Sequence, residues 1–125
     1  MKTKILIILF ILFTPFYAQS QWVNKWEKVN IPDRYSQQSY LDVYFLPQDR
    51  NYGWICGFRS QVSFTTDGGN TWKTVNVDPD NPIQLESIHF VNTKIGYTSG
   101  PPIDQNRSGS IFKTTDGGNT WKNID

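Results

Sequence analysis

The sequence runs to 125 residues, with 12 Lys and Arg against 11 Asp and Glu, and 38% of it is hydrophobic. The near-neutral balance excludes a basic nucleic-acid binder, and no apolar run is long enough for a membrane-spanning helix. The short length also argues against a large single-core enzyme.

The first 20 residues read as a secretory signal peptide. They open with Lys2 and Lys4, run apolar from Ile5 to Phe13, and close on Thr14-Pro15-Phe16-Tyr17-Ala18-Gln19-Ser20. Ala18 and Ser20 satisfy the small-residue rule, which sets cleavage after Ser20 and a secreted or periplasmic location. Residues 21–125 then hold 10 basic and 11 acidic side chains, a net charge of −1. They contain no Ala and no Met, and their only leucines are Leu41, Leu46 and Leu85. Good helix formers are almost missing, while aromatic and β-branched runs alternate with Gly, Pro, Asn, Asp and Ser. That pattern predicts an all-β chain of short strands. Cys56 is the only cysteine, so no internal disulfide can form, and it reads as a small buried strand residue. No Cys follows the signal segment to carry a lipid anchor.

Residues 21–40 read as an N-terminal strand, Trp26–Asn30, followed by a loop. The next two stretches are copies of one unit. Thr65-Thr66-Asp67-Gly68-Gly69-Asn70-Thr71-Trp72-Lys73 recurs letter for letter as Thr114-Thr115-Asp116-Gly117-Gly118-Asn119-Thr120-Trp121-Lys122. Upstream, Leu41–Phe45 parallels Leu85–Phe90 with one slip, Gly53–Gly57 parallels Gly96–Gly100, and Val62 matches Ile111. Residues 41–76 thus predict strands at 41–46, 52–58, 61–66 and 71–76. Residues 77–125 predict strands at 86–91, 95–100, 109–115 and 120–124. A repeat of about 45 residues carrying four strands is the mark of a β-propeller blade. Trp26–Asn30 resembles Trp72–Asn76, the last strand of a blade, and is placed to complete a neighbouring blade.

The identical segment has a structural rationale. Asp-Gly between strands signals a turn, and an Asp carboxylate can accept backbone N–H groups ahead of it. Gly68 and Gly69, like Gly117 and Gly118, allow positive φ. Thr65 and Thr71 can bond across the turn, and Trp72 can cover its base, with Thr114, Thr120 and Trp121 doing the same in the second copy. These residues therefore read as fold-forming, with no metal or cofactor implied.

The segment fits the Asp-box, or BNR, pattern Ser/Thr-x-Asp-x-Gly-x-Thr-Trp. Thr65, Asp67, Gly69, Thr71 and Trp72 fill it once, and Thr114, Asp116, Gly118, Thr120 and Trp121 fill it again. With Asp42-Val43-Tyr44-Phe45 and Gly53-Trp54-Ile55-Cys56-Gly57 upstream, residues 22–125 resemble the Ycf48/Hcf136-like domain most. The resemblance implies a propeller of about seven blades that works as a non-catalytic interaction or assembly platform. In photosynthetic organisms such domains assist photosystem assembly, and many secreted bacterial proteins carry them with no photosynthesis involved. Here Arg34, Arg50, Arg59 and Arg107 are dispersed, without the basic surface expected for photosystem binding.

Two blades leave two sheet faces open. The chain is therefore expected to be part of a larger propeller, to self-associate as three or four copies, or to stand as a small, marginal two-sheet domain. Alternation of loops puts the Asp-box turns on one face with loops 47–52 and 92–95. Loops 31–40, 58–61, 77–84 and 101–109 share the other face. That second face supplies the candidate binding set: Arg34, Tyr35, Arg59, Asp78, Asp80, Asp104 and Arg107. The expected partner is a protein, with a glycan as the second class. A sialidase-like or other glycoside hydrolase fragment is the alternative function. It would need paired carboxylates placed for catalysis, and the two glutamates of residues 21–125, Glu27 and Glu86, are both expected on packed strands. Asp78-Pro79-Asp80-Asn81 lacks the Gly and Glu of an EF-hand loop. His89, the only His, has no second imidazole or Cys beside it and reads as a surface residue.

Overall fold

The computed structural model of the chain describes residues 27–32, 39–104 and 106–125. The signal segment, Trp26, Arg34 and Tyr35 lie outside them. The described residues form eight strands: β1 (Tyr40–Phe45), β2 (Gly53–Gly57), β3 (Gln61–Thr65), β4 (Lys73–Asn76), β5 (Ser87–Phe90), β6 (Gly96–Gly100), β7 (Ser110–Thr114) and β8 (Lys122–Asn123). One 3-10 turn, Phe58–Ser60, joins β2 to β3. The strands make two four-stranded antiparallel sheets, β1-β2-β3-β4 and β5-β6-β7-β8. All eight fall within the predicted strands to one or two residues.

Two expectations fail. Glu27–Asn30 form no strand, although the segment still meets the first sheet, where the Thr74 hydroxyl donates to the Pro32 carbonyl at 2.8 Å. Glu86 lies just before β5 and is exposed, where it accepts from the Gln84 amide at 3.0 Å. Neither glutamate sits on a packed strand. The fourth strands also start late, at Lys73 and Lys122, because the Asp boxes hold Thr71 and Thr120 in the preceding turn.

Register explains how the sheets stack. Trp54 pairs with Tyr44 and Phe64, and Cys56 with Asp42 and Val62, so these six share one face of the first sheet. Phe90 pairs with Gly96, and Thr98 with Ile88 and Phe112, on one face of the second. These two faces meet. The Trp54 and Phe90 rings stack at 3.6 Å with 9° between their planes. The Trp54 Nε1–H crosses to the Gly117 carbonyl at 2.9 Å. The Cys56 thiol donates to the Leu85 carbonyl at 3.4 Å, and Asp42 Oδ2 accepts from Ile88 N–H at 2.9 Å. Leu46, Trp54, Cys56, Val62, Phe64, Ile83, Leu85, Ile88, Phe90 and Phe112 form one buried cluster spanning both sheets.

Equivalent faces are used differently in the two copies. Blade 1 buries Val62, whereas its counterpart Ile111 in blade 2 is 48% exposed. Blade 2 buries Ile88, whereas its counterpart Val43 in blade 1 is 57% exposed. One face of the first copy thus packs on the opposite face of the second, a head-to-tail contact that leaves its two complementary halves open at the ends. Close approach fixes two glycines. A Cβ at Gly96 would lie 2.5 Å from the Phe90 ring, and one at Gly100 would lie 1.9 Å from the Gln84 carbonyl.

Candidate functional site

The two Asp boxes fold alike. The Thr65 hydroxyl donates to Asp67 Oδ1 at 2.8 Å and accepts the Gly69 N–H at 2.9 Å. The Asp67 carboxylate accepts the Thr71 N–H at 2.9 Å and the Thr71 hydroxyl at 2.6 Å. Trp72 Nε1–H closes the turn on the Gly69 carbonyl at 2.9 Å. In the second copy Thr114 meets Asp116 at 2.8 Å, Thr120 meets it at 2.9 and 2.6 Å, and Trp121 meets Gly118 at 3.1 Å. Gly68, Gly69, Gly117 and Gly118 all take positive φ. Trp72 stands edge-on to Phe45, and Trp121 edge-on to Phe90. The turn is wider than a two-residue hairpin because the carboxylate reaches four residues ahead.

These bonds use both oxygens of each carboxylate. The Thr71 hydroxyl and N–H, with the Thr65 hydroxyl, hold Asp67 down to a pKa of about 2. At Asp116 desolvation pushes upward, but the Thr120 hydroxyl and N–H and the Thr114 hydroxyl outweigh it, again giving about 2. The Asp-box residues thus act on their own turns. Each turn is also tied to the β1–β2 or β5–β6 loop, since Gly68 N–H donates to the Asn51 carbonyl and Gly117 N–H to the Lys94 carbonyl, both at 2.9 Å. That places the Asp boxes with loops 47–52 and 92–95.

The opposite end of the sheets holds a cavity of about 450 Å³ in the cleft between the blades. Its wall comes from the Phe58–Ser60 turn, the 76–83 link between blades, residues 102–104 and 107–110 between β6 and the start of β7, and Asn123 on β8. Arg59, Asp78, Asp104 and Arg107 of the expected binding face all line it, and Asp80 is exposed outside its lining. Sequence reasoning missed Phe58, Asn81, Pro102, Ile103 and Ser108, which also line it. The proline-rich run Pro79…Pro82 and the pair Pro101-Pro102 were the signal, because proline stiffens a loop and removes backbone donors.

The wall is fixed from below. Arg59 and Ser60 both take left-handed backbone, at φ 57° and 59°, a conformation that costs a non-glycine residue on the order of 1–3 kcal/mol. Ser60 is fully buried and held three ways. Its N–H donates to the Ile83 carbonyl, its hydroxyl accepts the Ile83 N–H, and its carbonyl accepts the Val77 N–H, each at 2.8 Å. An Ile83–Pro102 bridge joins the second and third wall segments. Arg107 donates to Asn81 Oδ1 across the mouth.

The remaining singled-out residues have local explanations. Burial pushes the Cys56 thiol up to about 12, which keeps it protonated and inert. His89 is exposed, its ring 4.6 Å from that of Tyr44. Among the described residues no three His, Cys, Asp or Glu side chains gather into a metal site.

Repeated four-stranded sheets stacked head to tail and pinned by Asp boxes define a pair of propeller blades of the Asp-box class. The family described as Photosynthesis system II assembly factor YCF48 matches residues 18–125, and the chain belongs to that Ycf48/Hcf136-like family. It is 31% identical over 84 residues to Photosystem II stability/assembly factor HCF136 of Oryza sativa subsp. japonica, covering 64% of this chain and 20% of that protein. It is 30% identical over 97 residues to the namesake from Guillardia theta, covering 71% and 24%. A solved structure, YCF48 bound to D1 peptide, superposes with a TM-score of 0.56 at 31% identity, covering 70% of this chain and 26% of that one. The chain therefore spans about a quarter or less of the length of these relatives.

Proposed function

We propose that this chain is an exported, non-catalytic protein-interaction or assembly module that meets its partner on the loop face opposite the Asp boxes. One observation carries the reading: four residues expected on that face converge on one cavity walled by three loop segments. Relatives named as assembly factors, and a solved relative bound to a peptide, support a protein partner. The Asp boxes add no competing site, since their carboxylates are engaged within their own turns. Export rests on the Lys2–Ser20 pattern.

A photo-crosslinking amino acid placed at Ile103, beside the cavity, or at Lys94, on the Asp-box face, tests this in the cell envelope. A discrete protein adduct from position 103 and none from position 94 is expected. Equal labelling from both positions, or none from either, would overturn the proposal.

A further inference from the structure

The cavity on the loop face has a balance of chemistry that points to its ligand. Two guanidiniums, Arg59 and Arg107, stand against two carboxylates, Asp78 and Asp104, so the lining carries no net charge among the described residues. Both carboxylates are also engaged in shaping their own loops. Asp78 Oδ1 accepts the Asn81 N–H at 3.0 Å, and Asp104 Oδ1 accepts the Asn106 N–H at 3.0 Å and its side-chain amide at 3.1 Å. Such a lining has little long-range pull on an acidic or a basic chain. Pro79, Pro82, Pro102 and Ile103 supply aliphatic surface, and Ile103 is 43% exposed. Asn81, Asn123, Ser108 and Ser110 add uncharged donors and acceptors. Asn76 also borders the cavity, and its Oδ1 is buried without a hydrogen-bond partner among the described residues, while its Nδ2–H donates to the Arg59 carbonyl at 3.1 Å. A buried acceptor left unpaired is unfavourable, and turning this amide toward the cavity would offer it to an N–H donor. The strained Arg59–Ser60 turn, fixed by three hydrogen bonds, holds one rim in place before any ligand arrives.

We infer that this cavity binds an uncharged, extended peptide segment. Its main-chain amides would meet the Asn and Ser side chains, and an aliphatic side chain would rest on the Pro and Ile wall. The size fits, because ligand pockets run from about 300 to 1,000 Å³. A sugar is the other neutral ligand, but it packs its C–H face on aromatic rings, and among the described residues of the lining Phe58 is the only aromatic one. The inference rests on the reading of the chain as a protein-recognition module and adds the site and the chemistry.

A phage-displayed dodecapeptide library selected on the purified chain is the probe, with selected peptides measured by calorimetry and the chain run in parallel on a glycan array. Enrichment of uncharged, aliphatic peptides is expected. Their Kd should change less than about two-fold between roughly 50 and 500 mM sodium chloride, since no charge pair is made. Ile103→Asp, and Ser108→Trp, which fills the cavity from an exposed loop, should each weaken binding by about ten-fold or more. Lys94→Ala should leave it unchanged, and thermal melts of the same samples verify that the variants fold. Acidic peptides whose binding fades with salt would overturn the ligand class, as would glycan binding that Ser108→Trp abolishes. Peptides indifferent to both cavity substitutions, or no enrichment at all, would overturn the site, while the adduct from position 103 would still decide the wider reading.

Discussion

Asp67 and Asp116 show how one residue type can build a turn twice. Each carboxylate gathers a hydroxyl from behind, and a hydroxyl and an N–H from four residues ahead. Because only the ionised form accepts all of these bonds, both pKa values sit near 2, below the roughly 3.9 of an unfolded aspartate. The sign follows. Folding favours the charged form, so this stabilisation is fully present above about pH 4. It is lost as the pH falls from about 4 toward 2, where protons bind the folded chain as well. The melting temperature should hold steady from pH 7 to about 5 and then drop across that window. In a chain carrying Asp67→Asn with Asp116→Asn, the melting temperature at pH 7 should be lower and the acid drop shallower. An unchanged acid limb in the double variant, followed by circular dichroism, would show that other carboxylates govern it. Both turns sit largely in water, which screens the contribution of each carboxylate.

At the scale of the element, equivalent strands have unequal duties. Val62 on β3 and Ile111 on β7 occupy the same place in the repeat, yet Val62 is fully buried and Ile111 is 48% exposed. Val62→Ala should therefore cost about 2 kcal/mol, and Ile111→Ala less than about 0.5 kcal/mol, as expected for an exposed site. Urea denaturation of the two single variants measures the contrast, and similar losses would mean that Ile111 is covered in solution. The sequence pattern could not reveal this difference. Alternation shows that a position belongs to one face of a strand, and the repeat shows that two positions are equivalent. Neither shows which face finds a partner, because that depends on which sheets lie next to each other. The same blindness affected the N-terminal segment. Its likeness to Trp72–Asn76 predicted a strand that completes a neighbouring blade, and Glu27–Asn30 belong to neither of the two four-stranded sheets described. Glu86 falls one residue before the strand it was assigned to, although its N–H still donates to the Ser99 carbonyl of β6 at 2.9 Å. What was legible came from local chemistry: the Asp-Gly-Gly turns, the eight strands, and the loop alternation that brought Arg59, Asp78, Asp104 and Arg107 to one cavity. The prolines that wall the cavity left a signal in their clusters, but that Pro79, Pro82, Pro102 and Ile103 meet at one cavity was not legible, because they come from loops that share no period.

At the scale of the whole molecule, the two blades share one core. Trp54 belongs to the first sheet, yet its ring lies flat on Phe90 of the second and its N–H reaches a carbonyl inside the second Asp box. Leu85 and Ile83, in the link between blades, are buried with them, and the Leu85 backbone receives the Cys56 thiol of β2. Lys73 of the first blade adds a bond to Asn119 of the second at 2.7 Å. A blade that lost this contact would expose its aromatic face, and a single four-stranded sheet has no other core to fall back on. The two blades should therefore unfold together. Tryptophan fluorescence and far-ultraviolet circular dichroism should trace one coincident transition in urea, which is the test of two-state behaviour. Trp54→Ala and Phe90→Ala should each lower its midpoint, at a cost of about 3–5 kcal/mol for loss of a buried aromatic ring. Because the rings touch, the double variant should cost less than the sum of the two, with a coupling of about 0.5 kcal/mol or more. Two separated transitions, with Trp54→Ala moving only one of them, would show that each blade stands alone and that the stacked rings merely lie side by side.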